Sequence, residues 1–570
     1  MKRNNKKLKK QTESNKIDLS KIKIGGIEYN IDIALKRLKQ DLRDDWFPDF
    51  LEFRDLFENK TYFLNQLEKY TESNNLYEPS PALHFDIPKP GFTIRYSSET
   101  NILDRVIYQA CVDFIAPELD RIHSASIYSH RINSDWGNKY FFKYAVDEWN
   151  NFLSDTKIEL DKENNEVLLI TDLSNYYESI SIKDLNTTLL FQIENLKIDD
   201  YRKKDFKKVS NQINTLLSNW CQPDTKRGIP QNRDASSFLS NIFLNPVDDI
   251  MIKSGYKYFR YMDDIRIVCK NKFEGRKALK LLVRELRKKG LNVNSKKTQI
   301  LDLNNSEHRP LANEALQKND KQIDQIESLL KSKKAIGIQR AVPMLKNKTI
   351  SLIESGGTLD RHFRFCVNRL ERLVRIPELN SRLELDEITD AIISELINQP
   401  WSTDTFSRYL ISVPLTDNQL QKIVNIILDD EKNIYAWQEY HIWRILICRN
   451  YKSEQLLEKA RYNMIHRATD IPIVGGSALY LCAIGDGNDR KQIADNFRNL
   501  NNFFAQRIAL IGIKNLDYTS IIKVSVEKFL DKTHKGTYRI LNTNYSDIYC
   551  LNPSKLNYKD FYDELPEFIS

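Results

Sequence analysis

No two cysteines in this 570-residue sequence stand at C-x-x-C spacing, and the seven present lie far apart. That spacing speaks against a zinc site and a disulfide framework and points to reduced, packed thiols. Long apolar runs are missing too. The best candidate, Ile471 to Ile484, contains Pro472, Gly475 and Gly476 and falls short of the ~20 residues that a bilayer-spanning helix needs. The N-terminus is basic, but no apolar core follows it, so there is no secretory signal and a cytoplasmic protein without a membrane partner is expected. With 41% hydrophobic and 29% charged residues the chain is neither disordered nor fibrous.

The length predicts two to four domains. A formal net charge of +8 is compatible with a phosphate-rich partner without requiring one. Six of the first ten residues are Lys or Arg, and residues 1–16 read as a basic, disordered tail of the kind that adds non-specific affinity for nucleic acid. Residues 17–79 read as a helical extension rich in aromatics. Across 80–309 short apolar strands alternate with amphipathic helices, the pattern of an α+β domain.

From 310 to 570 the strand signals vanish and helix follows helix. Thr416 with Gln419 makes an N-terminal capping signal. Ile388, Ile392 and Leu396 share a face that stops at Pro400, and further helical patterns run through Tyr435–Cys448, Ser477–Ala483 and Phe503–Ile513. Stacked pairs of this kind predict an all-α, helical-repeat-like half, although no strict period is present.

Paired aspartates occur five times, at 44–45, 199–200, 248–249, 263–264 and 429–430, so the dipeptide alone carries no information. Context separates one pair. Tyr258-Phe259-Arg260-Tyr261-Met262 precedes Asp263-Asp264, and Ile265-Arg266-Ile267-Val268 follows, a hairpin with two acids at its tip. Adjacent carboxylates between apolar strands are costly unless a cation neutralises them, and magnesium suits carboxylate oxygens. Val167 to Ile170 is a continuous apolar run, typical of a strand covered on both faces, and it leads into Asp172. Acids at two strand ends can meet in one sheet and clamp two metals ~4 Å apart for in-line phosphoryl transfer.

Tyr261-Met262-Asp263-Asp264 resembles the YxDD motif of reverse transcriptases. Asp172-Leu173-Ser174-Asn175-Tyr176-Tyr177 resembles the preceding acidic motif of the bacterial members. Gly228-Ile229-Pro230-Gln231 with Ala235-Ser236-Ser237 is similar to their substrate-binding loop and helix. Gly290-Leu291-Asn292-Val293-Asn294 with Lys297-Thr298 is similar to their GLxxNxxKT element. Ile87-Pro88-Lys89-Pro90-Gly91, Arg95 and Asp104-Arg105-Val106 look like the fingers. The motifs stand in family order over roughly residues 80–305.

The resemblance implies a right-hand polymerase with fingers and palm. It also implies roles for single residues. Asp172 and Asp263 would be catalytic metal ligands, supported by Asp264, with two magnesium ions as cofactor and manganese as a substitute. Tyr177 would be a steric gate against the 2′-hydroxyl. Lys89 and Arg95 would hold the incoming triphosphate, Lys297 would lie near it, and Gln231 would line the nucleotide pocket. Where the family keeps Gly after the Pro-Gln pair this sequence has Asn232, which puts template handling in question.

The implied partners are dNTPs and a noncoding RNA template or a DNA product, with a second copy of the chain left open. A helical half after the palm looks like the abortive-infection and defence-associated reverse transcriptases of bacteria. Some of these prime on their own tyrosine, and Tyr29 is one N-terminal candidate.

Two other readings stay open. Arg461 and His466 fit the R-x4-H spacing of helical RNases of the HEPN type, and an arginine-rich sequence also produces that spacing by chance. A non-catalytic RNA-binding scaffold on a polymerase fold is the third, and the clustered acids argue against it. The basic helix after the hairpin, with Leu279, Leu282, Val283 and Leu286 on its apolar face, reads as an ordinary solvated amphipathic helix.

Overall fold

The centre of the protein is a four-stranded antiparallel sheet in the order β6-β7-β5-β8. β5 (Val167–Thr171) runs down the middle, paired with β7 (Asp264–Cys269) on one side and β8 (Gln299–Asp302) on the other, and β6 (Lys257–Tyr261) closes the far edge. The chain is described by a computed structural model over residues 21–513, apart from 59, 73–77, 318–319, 333, 381–382, 468–469 and 501, together with 526, 528, 530 and 555–557. The basic tail of residues 1–16 lies outside the described residues.

The unbroken Val-Leu-Leu-Ile run of β5 matches its place: Val167, Leu168 and Leu169 are fully buried because helices cover both faces of the sheet. Helices Ala145–Leu160 and His308–Ala315 cover one face, and in the core on the side of the other lies α1 (Ile102–Leu119), buried on nearly every side. Beside it lie α2 (Ile182–Asn195), α3 (Asp200–Trp220) and α4 (Asp234–Lys253). The basic helix α5 (Lys272–Lys288) buries Ala278, Leu282 and Leu286 and turns its lysines and arginines outward, as its amphipathic pattern predicts.

Two hairpins escaped the sequence reading. The fingers are built on β3 (Leu83–Lys89) and β4 (Thr93–Glu99), joined through Pro90-Gly91-Phe92. The second replaces the start of the expected N-terminal helical extension: β1 (Lys21–Ile24) pairs with β2 (Ile27–Asn30) across Gly25-Gly26, both with positive φ. Its strands alternate exposed and buried residues with period two. The Gly-Gly pair between such runs is a hairpin signal. Helices follow from Ile31.

Beyond β8 every named element is helical. Thr416 caps its helix through a complete capping box with Gln419. Asp386–Asn398 ends just before Pro400, because the residue preceding a proline is pushed out of the helical region. Ala436–Cys448, Ile471–Ile484 and Phe503–Ile513 pack on one another around Trp443, Tyr480 and Ala509. Within Ile471–Ile484 the helix approaches so closely that a side chain on Gly476 would meet the Trp443 ring at 2.6 Å. No described helix is long and apolar enough to cross a membrane.

The helical half shares one apolar core with the fingers and with Trp46–Leu51. Phe47 packs edge-on against Phe85 and Tyr440 and at a tilt against Phe504, and the Trp437 indole donates to the Trp46 carbonyl at 2.9 Å. Arg507 is buried against Asp49 of that segment and Asp55 of the short helix Arg54–Phe57 after it, with contacts of 2.9 to 3.1 Å to Asp55. The fingers are therefore fastened to the helical half as well as to the palm.

Candidate active site

β5 ends at Thr171 and Asp172 is the next residue. Its position is set by the Gly290–Thr298 segment. The Asn294 N–H donates to the Asp172 carbonyl at 2.7 Å, the Ser174 N–H donates to the Asn292 carbonyl at 2.8 Å, and the Thr171 and Thr298 hydroxyls meet at 2.7 Å. Gly290 opens this segment at φ +74°, a left-handed conformation that favours glycine. From the same segment the Lys297 ammonium reaches to 2.8 Å from the Asp172 carboxylate.

The second pair of acids sits on the β6–β7 hairpin. Tyr261 pairs with Asp264, leaving Met262 and Asp263 as the turn. Met262 has φ +55°, a conformation that costs a residue with a side chain ~1–3 kcal/mol and persists only where its surroundings enforce it. They do so here. The Met262 N–H donates to the Ser129 hydroxyl at 2.6 Å, and Arg260 donates to the Met262 carbonyl at 2.9 Å. Arg260 is itself fixed by a two-pronged pair with Asp248, at 2.8 and 2.6 Å, and by Asn241 at 2.8 Å, all fully buried. Tyr258 donates a further bond to Asp248 at 2.9 Å. Asp248, from a second aspartate pair of the sequence, thus supplies the support beneath the Met262 turn.

In the β5–β7 register Thr171 faces Ile265, so the next step brings Asp172 beside Asp264. Asp172 is close enough to oppose the ionisation of both Asp263 and Asp264. Burial, then the charges of Asp172 and Asp264, push Asp263 up to about 7. Burial and Asp172 push Asp264 up to about 6, against the pull of Arg266 and Lys297. Among the described residues no group of three or more His, Cys, Asp and Glu side chains forms a ready-made metal cage. The donor set is nonetheless all carboxylate oxygen, with like charges that a divalent cation would relieve, and this fits a hard cation such as magnesium.

Five further residues singled out from the sequence line the same cleft, whose volume is about 3180 Å³. Lys89, at the end of β3, donates to Asn175 at 2.6 Å and approaches Glu178 at 3.4 Å. Arg95 stands on β4, where burial lowers its pKa and the charges of Glu178 and Asp263 oppose that. Tyr177 shares a 2.9 Å hydrogen bond with Ser237 and lies 3.9 Å from the Met262 sulfur. Gln231 donates to the Tyr96 carbonyl at 3.2 Å. Lys297 completes the set.

Residues 87–328 match the family model described as reverse transcriptase (RNA-dependent DNA polymerase). This part of the chain is a reverse transcriptase domain. It is an enzyme's domain, for RNA-dependent DNA synthesis, and it occupies rather less than half of the chain. No curated protein matches the sequence. Among solved structures, one similar chain is telomerase from Candida albicans bound to a fragment of telomeric RNA (13% identity, 72% of this chain and 69% of that one, TM-score 0.31). Another is apo telomerase from Candida tropicalis (11% identity, 85% and 73%, TM-score 0.30).

The loop after Gln231, marked in the sequence only by Asn232 in place of the family's Gly, is anchored from outside the cleft. Asn232 takes φ +56° and donates to the Asp44 carbonyl at 3.0 Å, so it adopts the left-handed backbone that glycine adopts freely. Arg233 then enters a buried cluster with Asp45 at 3.0 Å and Glu99 at 2.9 Å, which Arg105 also joins through Asp45 at 2.8 Å. The loop that carries Gln231 is thereby tied to both the fingers and the N-terminal segment. Unfamiliar residues after Gln231 gave the only sequence signal of this.

Other readings gain nothing from the geometry. Arg461 is held by Asp489 at 2.8 Å and Glu454 at 2.9 Å, while His466 stacks on Tyr462. Five helical residues turn a side chain by ~140°, so Arg461 and His466 do not share a face. Tyr29, a candidate primer, is 1% exposed, with its hydroxyl bonded to Gln212.

Proposed function

We propose that the domain polymerises dNTPs by metal-assisted phosphoryl transfer with Asp172 and Asp263 as the metal ligands and Asp264 as a supporting acid. The observation that carries this reading is the convergence of a strand end and a strained hairpin tip, which leaves three carboxyls in one cleft. Magnesium, or manganese in its place, would supply Lewis-acid stabilisation of the attacking and leaving oxygens.

The chain's own residues do the remaining work. Lys89 and Arg95 attract and orient the triphosphate from the fingers side, and Lys297 meets it from the palm side. The Tyr177 ring, fixed through Ser237, blocks a ribose 2′-hydroxyl, and Gln231 bounds the nucleotide pocket. Ser129, Arg260 and Asp248 hold the Met262 turn so that Asp263 needs no rearrangement when substrate binds.

Synthesis is RNA-directed, with template-independent extension as the other mode open to this architecture. Purified protein with magnesium and labelled dNTPs tests the reading. Incorporation should be lost in Asp263→Ala, and incorporation persisting in that variant would refute the assignment of the acids.

The biological role we propose is antiphage defence in a bacterial host. It is supported by the succession of a reverse transcriptase domain and an all-helical half fastened to its fingers. Phage plating on cells carrying the wild type or Asp263→Ala tests it: protection should require the intact acid.

A further inference from the structure

The cleft over the palm has a second wall that lies outside the family match. It is formed by the helix Arg361–Leu373 and by Thr403–Ser412. Arg361, Arg364, Asn368 and Arg372 line it at spacings of three and four residues, which confines them to an arc of ~80° on a helix turning ~100° per residue. Arg375 extends the row beyond the helix end, and Arg408 joins it from the side by donating to Asn368 at 3.1 Å.

The row begins at the catalytic hairpin. The Arg361 guanidinium lies 5.9 Å from the centre of the Trp149 ring, and Trp149 packs edge-on against Tyr261 at 5.0 Å. Arg369, about 80° around the helix, is 3% exposed and packs over Phe365 at 3.8 Å, and Arg372 is 6% exposed, so neither is counted as a phosphate contact. Four acids face the row. Asp360 accepts the His362 N–H as the helix cap, burial raises the pKa of Glu371 against the charge of Arg408, Asp404 is exposed, and Asp44 lies across the cleft within reach of the charges of Arg364 and Arg408. The balance stays positive.

We infer that the row Arg361, Arg364, Arg375 and Arg408 is a track for the sugar–phosphate backbone of the nucleic-acid strand held over the palm. Guanidinium groups match phosphate oxygens in charge and geometry. From Arg361 to Arg375 the row spans ~21 Å at ~1.5 Å per residue, the axial length of ~6 nucleotides at ~3.4 Å each. Phe365 on the same face is buried, so the described residues of the track present cations without a stacking ring, and binding is indifferent to base sequence and to the 2′-hydroxyl. The inference rests on the polymerase reading in that the bound chain is its template or product.

Arg364 and Arg408 are exposed and suit substitution. The full chain is titrated with labelled oligouridylate and oligothymidylate of equal length across a potassium chloride series, without dNTPs or divalent cation. Arg364→Gln with Arg408→Gln should weaken both oligonucleotides alike and reduce the salt slope by ~1.4, from two lost contacts at ~0.7 each. The corresponding double substitution to Lys should restore the slope. An unchanged slope in the Gln variant, a loss confined to one oligonucleotide, or a Lys variant as weak as the Gln variant overturns the track. If the wild type binds as described but never incorporates dNTPs, the polymerase reading fails and the track survives. If it incorporates and the Gln variant keeps the full slope, the reverse holds.

Discussion

The Lys297 ammonium lies 2.8 Å from the Asp172 carboxylate, so one residue read as a triphosphate contact rests against one read as a metal ligand. Burial alone would lower the pKa of Lys297, but the hydrogen bond to Asp172 and the charges of Asp172, Asp264 and Asp263 raise it. The ammonium partly neutralises the acids before substrate arrives, and it is well placed to exchange Asp172 for a phosphate oxygen. Lys297→Met should raise the KM for dNTPs by ~10-fold or more, given ~1.5–3 kcal/mol for a hydrogen bond to a charged group. Lys297→Arg should recover part of it. Steady-state incorporation kinetics decide the matter, and an unchanged KM in the Met variant would remove Lys297 from the nucleotide site.

The raised carboxyls make a prediction about pH. A carboxyl with a higher pKa in the folded than in the unfolded chain holds extra protons when folded. Its stabilising share is complete below the unfolded value of ~4 and fades as pH rises through about 6 for Asp264 and about 7 for Asp263. In chelator the melting temperature should therefore fall between pH 5 and pH 8 more steeply for wild type than for Asp263→Asn. At pH 8 Asp263→Asn should melt higher than wild type while incorporating nothing. Calorimetry at the two pH values checks both statements, and equal slopes for the two proteins would contradict the electrostatic account.

Much of this site was legible in the chain. Apolar runs that end in acids fixed Asp172 and the hairpin tip because strand length and burial are local properties, and Asp172 and Lys297 meet although neither position hints at the other. What stayed hidden depended on partners distant in sequence. Asp248 looked like any other aspartate pair, and only the fold brings it under Arg260. The arginines at 361, 364 and 372 are common residues on an amphipathic helix until the palm stands opposite them. The β1–β2 hairpin was lost because four-residue strands are too short for their period to stand out, although Gly25-Gly26 marked the turn.

The support beneath the turn should be measurable as stability. Arg260 and Asp248 are both fully buried, and removing one partner of such a pair typically costs ~3–5 kcal/mol because the other is left uncompensated. Arg260→Met should destabilise by about that much and abolish activity by releasing Met262. Adding Asp248→Leu should recover much of the stability without the activity, since the Met262 carbonyl still lacks its donor. Denaturant unfolding with parallel incorporation assays separates the two effects. Recovered activity in the double variant would show that the turn holds its shape without Arg260.

The gate proposed at Tyr177 rests on a fixed ring. The Tyr177 hydroxyl is held by Ser237 at 2.9 Å and its neighbour Tyr176 is bonded to the Ser240 carbonyl at 2.6 Å, so the ring has little freedom to yield to a ribose. Tyr177→Ala should lower discrimination against ribonucleotides, read as the ratio of kcat/KM for dNTP over rNTP, by ~10-fold or more, where each factor of ten is ~1.4 kcal/mol. Tyr177→Phe should retain most of it, because the ring and not the hydroxyl does the excluding. A ratio that falls equally in both variants would assign the effect to the Ser237 bond instead.

Asn232 gives the sharpest test of how this domain departs from its relatives. Its φ of +56° belongs to the region that glycine enters freely, asparagine tolerates and β-branched residues avoid. If the family's glycine serves the backbone, Asn232→Gly should preserve incorporation, losing only the bond to the Asp44 carbonyl. Asn232→Val should instead force the loop out of its left-handed turn, displace Gln231 on one side and draw Arg233 from Asp45 and Glu99 on the other. It should therefore lose both dNTP affinity and thermal stability, where the Gly variant loses neither to a comparable degree. Were the Gly and Val variants to fail alike, the Asn232 side chain itself, rather than the backbone it permits, would be what the site requires.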